Sequence, residues 1–193
     1  MSKIKKIFST PLYQTIAPQE ILEEITIQAL PKLDKLLDQD RDIMRNPMSS
    51  DFFGERIVKP EEAQNFFDWI IECTNEYCEE TGYHNGNRMN YWFQDYRQDG
   101  MHRRHNHGIS RVSGVFWIRA NEQAGDLILE NPVSELGTVQ DNIKHPMGDY
   151  TAEHEFITPS TGMLVLFPGF IYHEVMPSLE GVVRTVMAFN MDR

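Results

Sequence analysis

From residue 87 onward the chain is a succession of short apolar segments divided by turn formers. They run Met89 to Tyr96, Arg104 to Ile109, Val112 to Arg119, Asp126 to Glu130, Phe156 to Thr158, Met163 to Phe167, Ile171 to Met176 and Val182 to Phe189. Strand-length segments at this spacing predict an antiparallel sandwich or jelly roll. The connection from Asn131 to Glu155 holds several turn formers and no sustained period. A loop of that length in a compact domain is expected to be a lid or a binding loop.

The first 86 residues have a different texture. Ile4 to Ile16 mixes β-branched, aromatic and apolar residues around Pro11, which predicts an extended segment on a sheet edge. From Pro18 to about Asp38, Ile21, Leu22, Ile25, Ala29, Leu33, Leu36 and Leu37 recur at helical spacing, and Pro31 is expected to kink or divide that helix. A second helix is expected to start at Pro60, with Glu61 and Glu62 at its positive end. It carries Phe66, Ile70, Cys73 and Tyr77 on one face and stops at Gly82. The whole predicts a mainly β fold with flanking helices (α+β). One domain spans 1–193, divided into an N-terminal strand and helices (1–86) that buttress the sheet and a jelly-roll core (87–193). With 40% apolar and 11% aromatic residues the chain has the material for such a core.

A formal charge of −11 opposes sequence-independent binding to nucleic acid or to an anionic membrane. The run Lys3-Ile4-Lys5-Lys6 is too short and too interrupted to act as a basic arm. Cys73 and Cys78, five positions apart on a helix, point to different sides and are expected to stay reduced. No secretory leader pattern and no apolar stretch near the ~20 residues of a membrane span is present, so a cytoplasmic protein is expected. Oligomeric state is not fixed by these features, and a homodimer is compatible with them.

The chemistry is concentrated in His102-Arg103-Arg104-His105-Asn106-His107 and in Ile171-Tyr172-His173-Glu174-Val175. Alternate side chains of a strand share a face, so His105 and His107 are expected to project together and bind one metal ion. His173, from a remote strand, would complete a facial set. His102 lies an odd number of positions from both, which directs it to the opposite face unless a bulge near Arg103-Arg104 reverses the phase. His84, His145 and His154 stand in loop-like surroundings where a solvated imidazole is expected. No His-Glu-x-x-His helix, Gly-x-Ser-x-Gly elbow, phosphate-cradling glycine loop or dinucleotide fingerprint occurs.

Arg184 supplies the second half of the site. In the last strand Val182, Arg184, Val186, Ala188 and Asn190 share a face, and if this smaller set faces inward it leaves room for a ligand. A guanidinium buried there needs an anion, either a carboxylate-bearing co-substrate held bidentately or one of the local carboxylates. Tyr91 and Trp92 could line a substrate wall, although aromatic residues at strand spacing are more often core.

In four places the chain resembles the iron(II)/2-oxoglutarate-dependent oxygenase superfamily, and more narrowly a branch found among bacterial and phage proteins. These are Ile7-Phe8-Ser9-Thr10-Pro11-Leu12-Tyr13; His105-Asn106-His107 with Ser113-Gly114-Val115-Phe116-Trp117-Ile118; Gly125-Asp126-Leu127-Ile128-Leu129-Glu130-Asn131-Pro132; and Gly162-Met163-Leu164-Val165-Leu166-Phe167-Pro168 through His173, Arg184 and Phe189-Asn190. The resemblance implies a double-stranded β-helix of cupin-like form. It also implies Fe(II) held by His105, His107 and His173, with Arg184 on the co-substrate 2-oxoglutarate, which is decarboxylated to succinate while a peptide side chain or small molecule is hydroxylated. The superfamily usually carries a carboxylate where His107 stands and a hydroxyl residue where Val186 stands. Three neutral imidazoles leave the full charge of Fe²⁺ for the 2-oxoglutarate dianion to neutralise. A swing of Asp126 or Glu174 into the site would restore the carboxylate. Two further readings stay open, a three-histidine cupin-type dioxygenase independent of 2-oxoglutarate and a non-catalytic jelly-roll binding or assembly module.

Overall fold

The computed structural model describes residues 9–39, 48–49, 57–84, 86, 88–96, 99–133, 152–179 and 181–192. The basic run at Lys3, His145 and most of the expected lid lie outside them. Among the described residues ten strands form two antiparallel sheets. The larger has the order β1 (Tyr13–Ile16), β8 (Met163–Pro168), β5 (Val112–Arg119), β10 (Arg184–Asp192), β3 (Arg88–Tyr96) and β2 (Met48–Ser49). The smaller runs β4 (His102–His105), β9 (His173–Val175), β6 (Leu127–Glu130) and β7 (His154–Ile157). The described pairs are all antiparallel, as the segment spacing predicts for a sandwich or jelly roll, and their interleaved order is the wound form that the family resemblance implies.

Strand alternation divides the large sheet into two functional faces. Tyr91, Phe93, Phe116, Leu164, Leu166, Met187 and Phe189 pack outward against the helices α1 (Gln19–Gln39) and α2 (Gln64–Thr81), while Trp117, Val165, Phe167 and Val186 pack inward against Leu127, Leu129 and Ile157 of the small sheet. Gly114 is fixed by this layering, because a Cβ there would run into the ring of its cross-strand neighbour Phe189.

Several boundaries differ from the sequence reading. Pro31 does not divide α1, which continues through it. Pro31 and Ile27 are both exposed, so the Ile27 carbonyl that loses its hydrogen bond faces water. Pro60 opens a separate 3-10 turn, Pro60–Glu62, and α2 begins at Gln64. The start of α2 is capped from another helix, with the Glu24 carboxylate of α1 accepting from the Phe66 N–H at 2.8 Å. Gly82 ends α2 at φ 76°, as expected. Phe66, Ile70, Cys73 and Tyr77 are buried on one face, and both cysteines are free. Among the described residues no helix is long and apolar enough to cross a membrane.

Candidate metal centre

His105 is the last residue of β4 and pairs with His173 on β9. His107 lies past the strand, in the turn that follows. The expectation that alternation along one strand would align the pair is therefore corrected. The turn is held by Gly108 N–H to Asn106 Oδ1 at 3.1 Å and by His107 N–H to the Gly169 carbonyl at 2.8 Å, so the neighbouring segment between β8 and β9 sets where His107 points. One potential ligand nitrogen from each of His105, His107 and His173 lies within 4.8 Å of the others. His84 and His154 are exposed.

Two of these rings are held alike. His105 Nδ1 contacts the carbonyl of Arg103 at 2.7 Å and His173 Nδ1 that of Ile171 at 2.9 Å. A carbonyl only accepts, so each Nδ1 carries the proton and each Nε2 keeps its lone pair for a metal. His107 Nδ1 sits 3.3 Å from the Asn190 amide, which in turn accepts from Ser113 Oγ at 2.7 Å. In this orientation the Asn190 nitrogen faces His107 and its oxygen faces Ser113. Turning the amide over gives His107 Nδ1 an acceptor and hence the same tautomer, with the amide nitrogen then donating to Ser113 Oγ. Burial, reinforced by His105, lowers the pKa of His173 to about 3 and of His107 to about 4. At neutral pH these imidazoles are therefore uncharged and able to coordinate.

A correction concerns His102. It pairs with Val175 while His105 pairs with His173, so three residue steps on β4 match two on β9. This is the bulge at Arg103-Arg104 that reverses the phase, and it turns His102 inward, where its ring stacks on His105 with centroids 4.1 Å apart and planes 19° from parallel. The sequence also did not reveal Gln94, Tyr96 and Asn190. Of the two aromatics considered for a wall, Trp92 lines the pocket 5.8 Å from the His107 ring, whereas Tyr91 belongs to the outer core.

Arg184 faces inward with Val186 and Ala188, as expected, and lines the same cavity of about 50 Å³ as the histidines. It is wholly buried, yet its partners are not a carboxylate. Its Nη1 donates to the carbonyls of Ala124, Gly125 and Met176, its Nη2 to that of Gly100, and the guanidinium lies 4.1 Å from the Tyr96 ring centroid. Nε has no partner among the described residues. Among the described residues Nη2 makes a single hydrogen bond, so one of its hydrogens and the Nε–H remain to donate to a carboxylate. Burial lowers the Arg184 pKa to about 10, which still leaves it charged. The described lining contains no Asp or Glu, Asp126 and Glu174 included. The donor set thus fits a transition metal bound by imidazole beside an anionic co-substrate.

A sequence-family model described as "Putative 2OG-Fe(II) oxygenase" matches residues 90–190, which run from within β3 to within β10 and include every residue of this pocket. The chain belongs to that family. It is an oxygenase that works with iron(II) and 2-oxoglutarate. Solved structures repeat the fold of this oxygenase at low identity. A prolyl hydroxylase from Trichoplax adhaerens, in complex with a hypoxia inducible factor oxygen degradation domain peptide fragment, superposes with TM-score 0.63 at 14% identity, covering 95% of this chain and 84% of that one. A prolyl-4-hydroxylase from Pseudomonas putida gives 0.61 at 13%, covering 96% and 94%. HygX from Streptomyces hygroscopicus, with nickel and 2-oxoglutarate bound, gives 0.55 at 10%, covering 94% and 82%. No curated protein sequence matches the chain.

Proposed function

We propose that His105, His107 and His173 hold the iron, that Arg184 binds the far carboxylate of 2-oxoglutarate, and that the oxygenase hydroxylates a peptide side chain or small molecule. The observation that carries this reading is the joint lining of one cavity by three converging histidines and a buried guanidinium with an unpaired Nε–H. When bound, iron and 2-oxoglutarate let dioxygen be split between two products, one oxygen atom passing to succinate as CO₂ leaves and the other to a C–H bond of the substrate.

The chain's own residues select, orient and exclude. The Nδ1–H bonds to Arg103 and Ile171 keep two Nε2 lone pairs aimed at the ion. Arg184 sets the co-substrate's orientation by charge and by its two uncommitted donors. Trp92, Val115, Trp117, Phe167 and Val186 give the cavity apolar walls that keep bulk water from the reacting atoms. Val186 offers no hydroxyl to the far carboxylate, so that end of the co-substrate depends on Arg184. We assign this activity to a single domain working in the cytoplasm, where two buried thiols stay reduced.

The test is an anaerobic titration with Fe²⁺ and 2-oxoglutarate, read as the weak visible charge-transfer band of the chelated complex. The band is expected for the unmodified protein and is lost in His105→Ala. Absence of the band at saturating ligand overturns the reading. Oxygen uptake with substrate but without 2-oxoglutarate would move Arg184 onto the substrate's own carboxylate.

A further inference from the structure

We propose that His102 is a positioning residue that fixes the ring plane of His105 and thereby tunes metal affinity. The proposal rests on the reading of His105 as a metal ligand. A ligating imidazole must keep its Nε2 directed at the ion, and rotation about its side-chain bonds takes it away. The His105 ring is restrained on two sides, at its edge by the Arg103 carbonyl on Nδ1 and across its face by the stacked ring of His102. The second restraint comes from the bulge. In a regular strand His102 would turn outward and His105 would lose its stacked partner, keeping only the tilted contact with the ring of His173, 4.2 Å away.

His102 is itself tethered. Its Nδ1 lies 3.2 Å from Tyr96 Oη, and Tyr96 Oη donates to Gln94 Oε1 at 2.9 Å. Tyr96 has a single hydroxyl proton, which goes to Gln94. The His102 contact is then satisfied by Nδ1–H donating to the phenol oxygen. Gln94 and Tyr96 are 6% and 2% exposed, so the tether is too deeply set for water to replace it readily. The chain Gln94, Tyr96, His102, His105 therefore crosses from β3 in the large sheet to the metal strand in the small one. Because β4 meets β9 through an irregular ladder, this side-chain bridge supplies stiffness that backbone pairing there does not.

Cobalt(II) is the probe, with binding and ligand field both read from its d–d absorption, alongside melting of the metal-free protein. His102→Ala is expected to weaken cobalt binding about 3- to 10-fold, the range for losing a ring contact. Its band pattern should stay that of three nitrogens, while the metal-free melting temperature should fall by only the few degrees that one lost side-chain contact costs. His102→Phe keeps a ring on His105 and should bind within about 2-fold of the unmodified protein. His102→Leu, similar in bulk but without a ring, should behave as the alanine variant does and serves should that variant not fold. Cobalt affinity unchanged in both His102→Ala and His102→Leu overturns the proposal. So does a band shift as large as that of His105→Ala, which would make His102 a ligand. Failure of the unmodified protein to bind cobalt would instead overturn the metal-centre reading on which the proposal stands.

Discussion

At the residue scale, Arg184 is the most constrained side chain. If Arg184 binds 2-oxoglutarate as proposed, its replacement by Met removes a charge-assisted contact and should weaken 2-oxoglutarate binding roughly 10- to 100-fold, from about 1.5–3 kcal/mol. Metal binding should survive, as titration calorimetry with each ligand separately would show. The histidines give a second expectation. The folded pKa values of His173 and His107 are depressed to about 3 and about 4, against 6.5 in the unfolded chain. Their contribution to stability is complete above pH ~6.5 and is lost as the pH falls from there through the folded values, because the unfolded state takes up protons that the folded state refuses. Urea midpoints of metal-free protein should fall between pH 7.5 and 5, and saturating metal should delay the fall. The convergence of His105, His173 and Arg184 on one cavity was legible in residue type and strand spacing, whereas His107 reaches it from a turn that spacing did not show. His102 was not legible, because its direction depends on an extra residue that shows only against the pairing partner β9.

At the scale of elements, the two segments around His107 and before His173 are held together through Gly169. Its carbonyl receives the His107 N–H, and a Cβ there would meet the backbone oxygen and carbon of Ser110. Gly169→Ala should cost about 1–3 kcal/mol from overpacking against main chain. It should also lower metal affinity, because the His107 turn must move, and melting together with cobalt titration would register both effects. The contact between α1 and the start of α2 predicts that Glu24→Ala loses about 1 kcal/mol of cap, or ~2–4 °C in melting temperature. Neither contact is visible in a local window. The α2 periodicity and the Gly82 stop were readable because both are set within a few residues. The uninterrupted run of α1 past Pro31 was not, because it depends on which face of the helix meets water.

At the scale of the molecule, a helical layer, a large sheet and a small sheet leave the histidines and Arg184 between the two sheets. The alternating texture after residue 87 made this arrangement foreseeable. The order in which strands interleave does not follow from segment lengths, and only the resemblance to a family carried it. An ion held by the three histidines as proposed would join β4, β9 and the turn after β4, so it should stabilise the folded state as any native-specific ligand does. At about 100 times its dissociation constant an ion adds about 2.7 kcal/mol, or ~5–11 °C. Differential scanning calorimetry with iron(II) under argon, then with chelator, should show the rise and its reversal.

The socket of Arg184 is made of main-chain oxygens from the segments at Gly100, Ala124-Gly125 and Met176. Its grip is therefore indifferent to most side chains that those segments carry, and homologues can diversify there without loosening the hold on the guanidinium. Gly125 is the exception, since its φ of 81° and its closeness to Met176 leave no room for a side chain. A change of loop length is another matter, because one residue gained or lost withdraws an oxygen from the cage. Across a mutational library these segments should tolerate substitution broadly and reject insertions and deletions sharply.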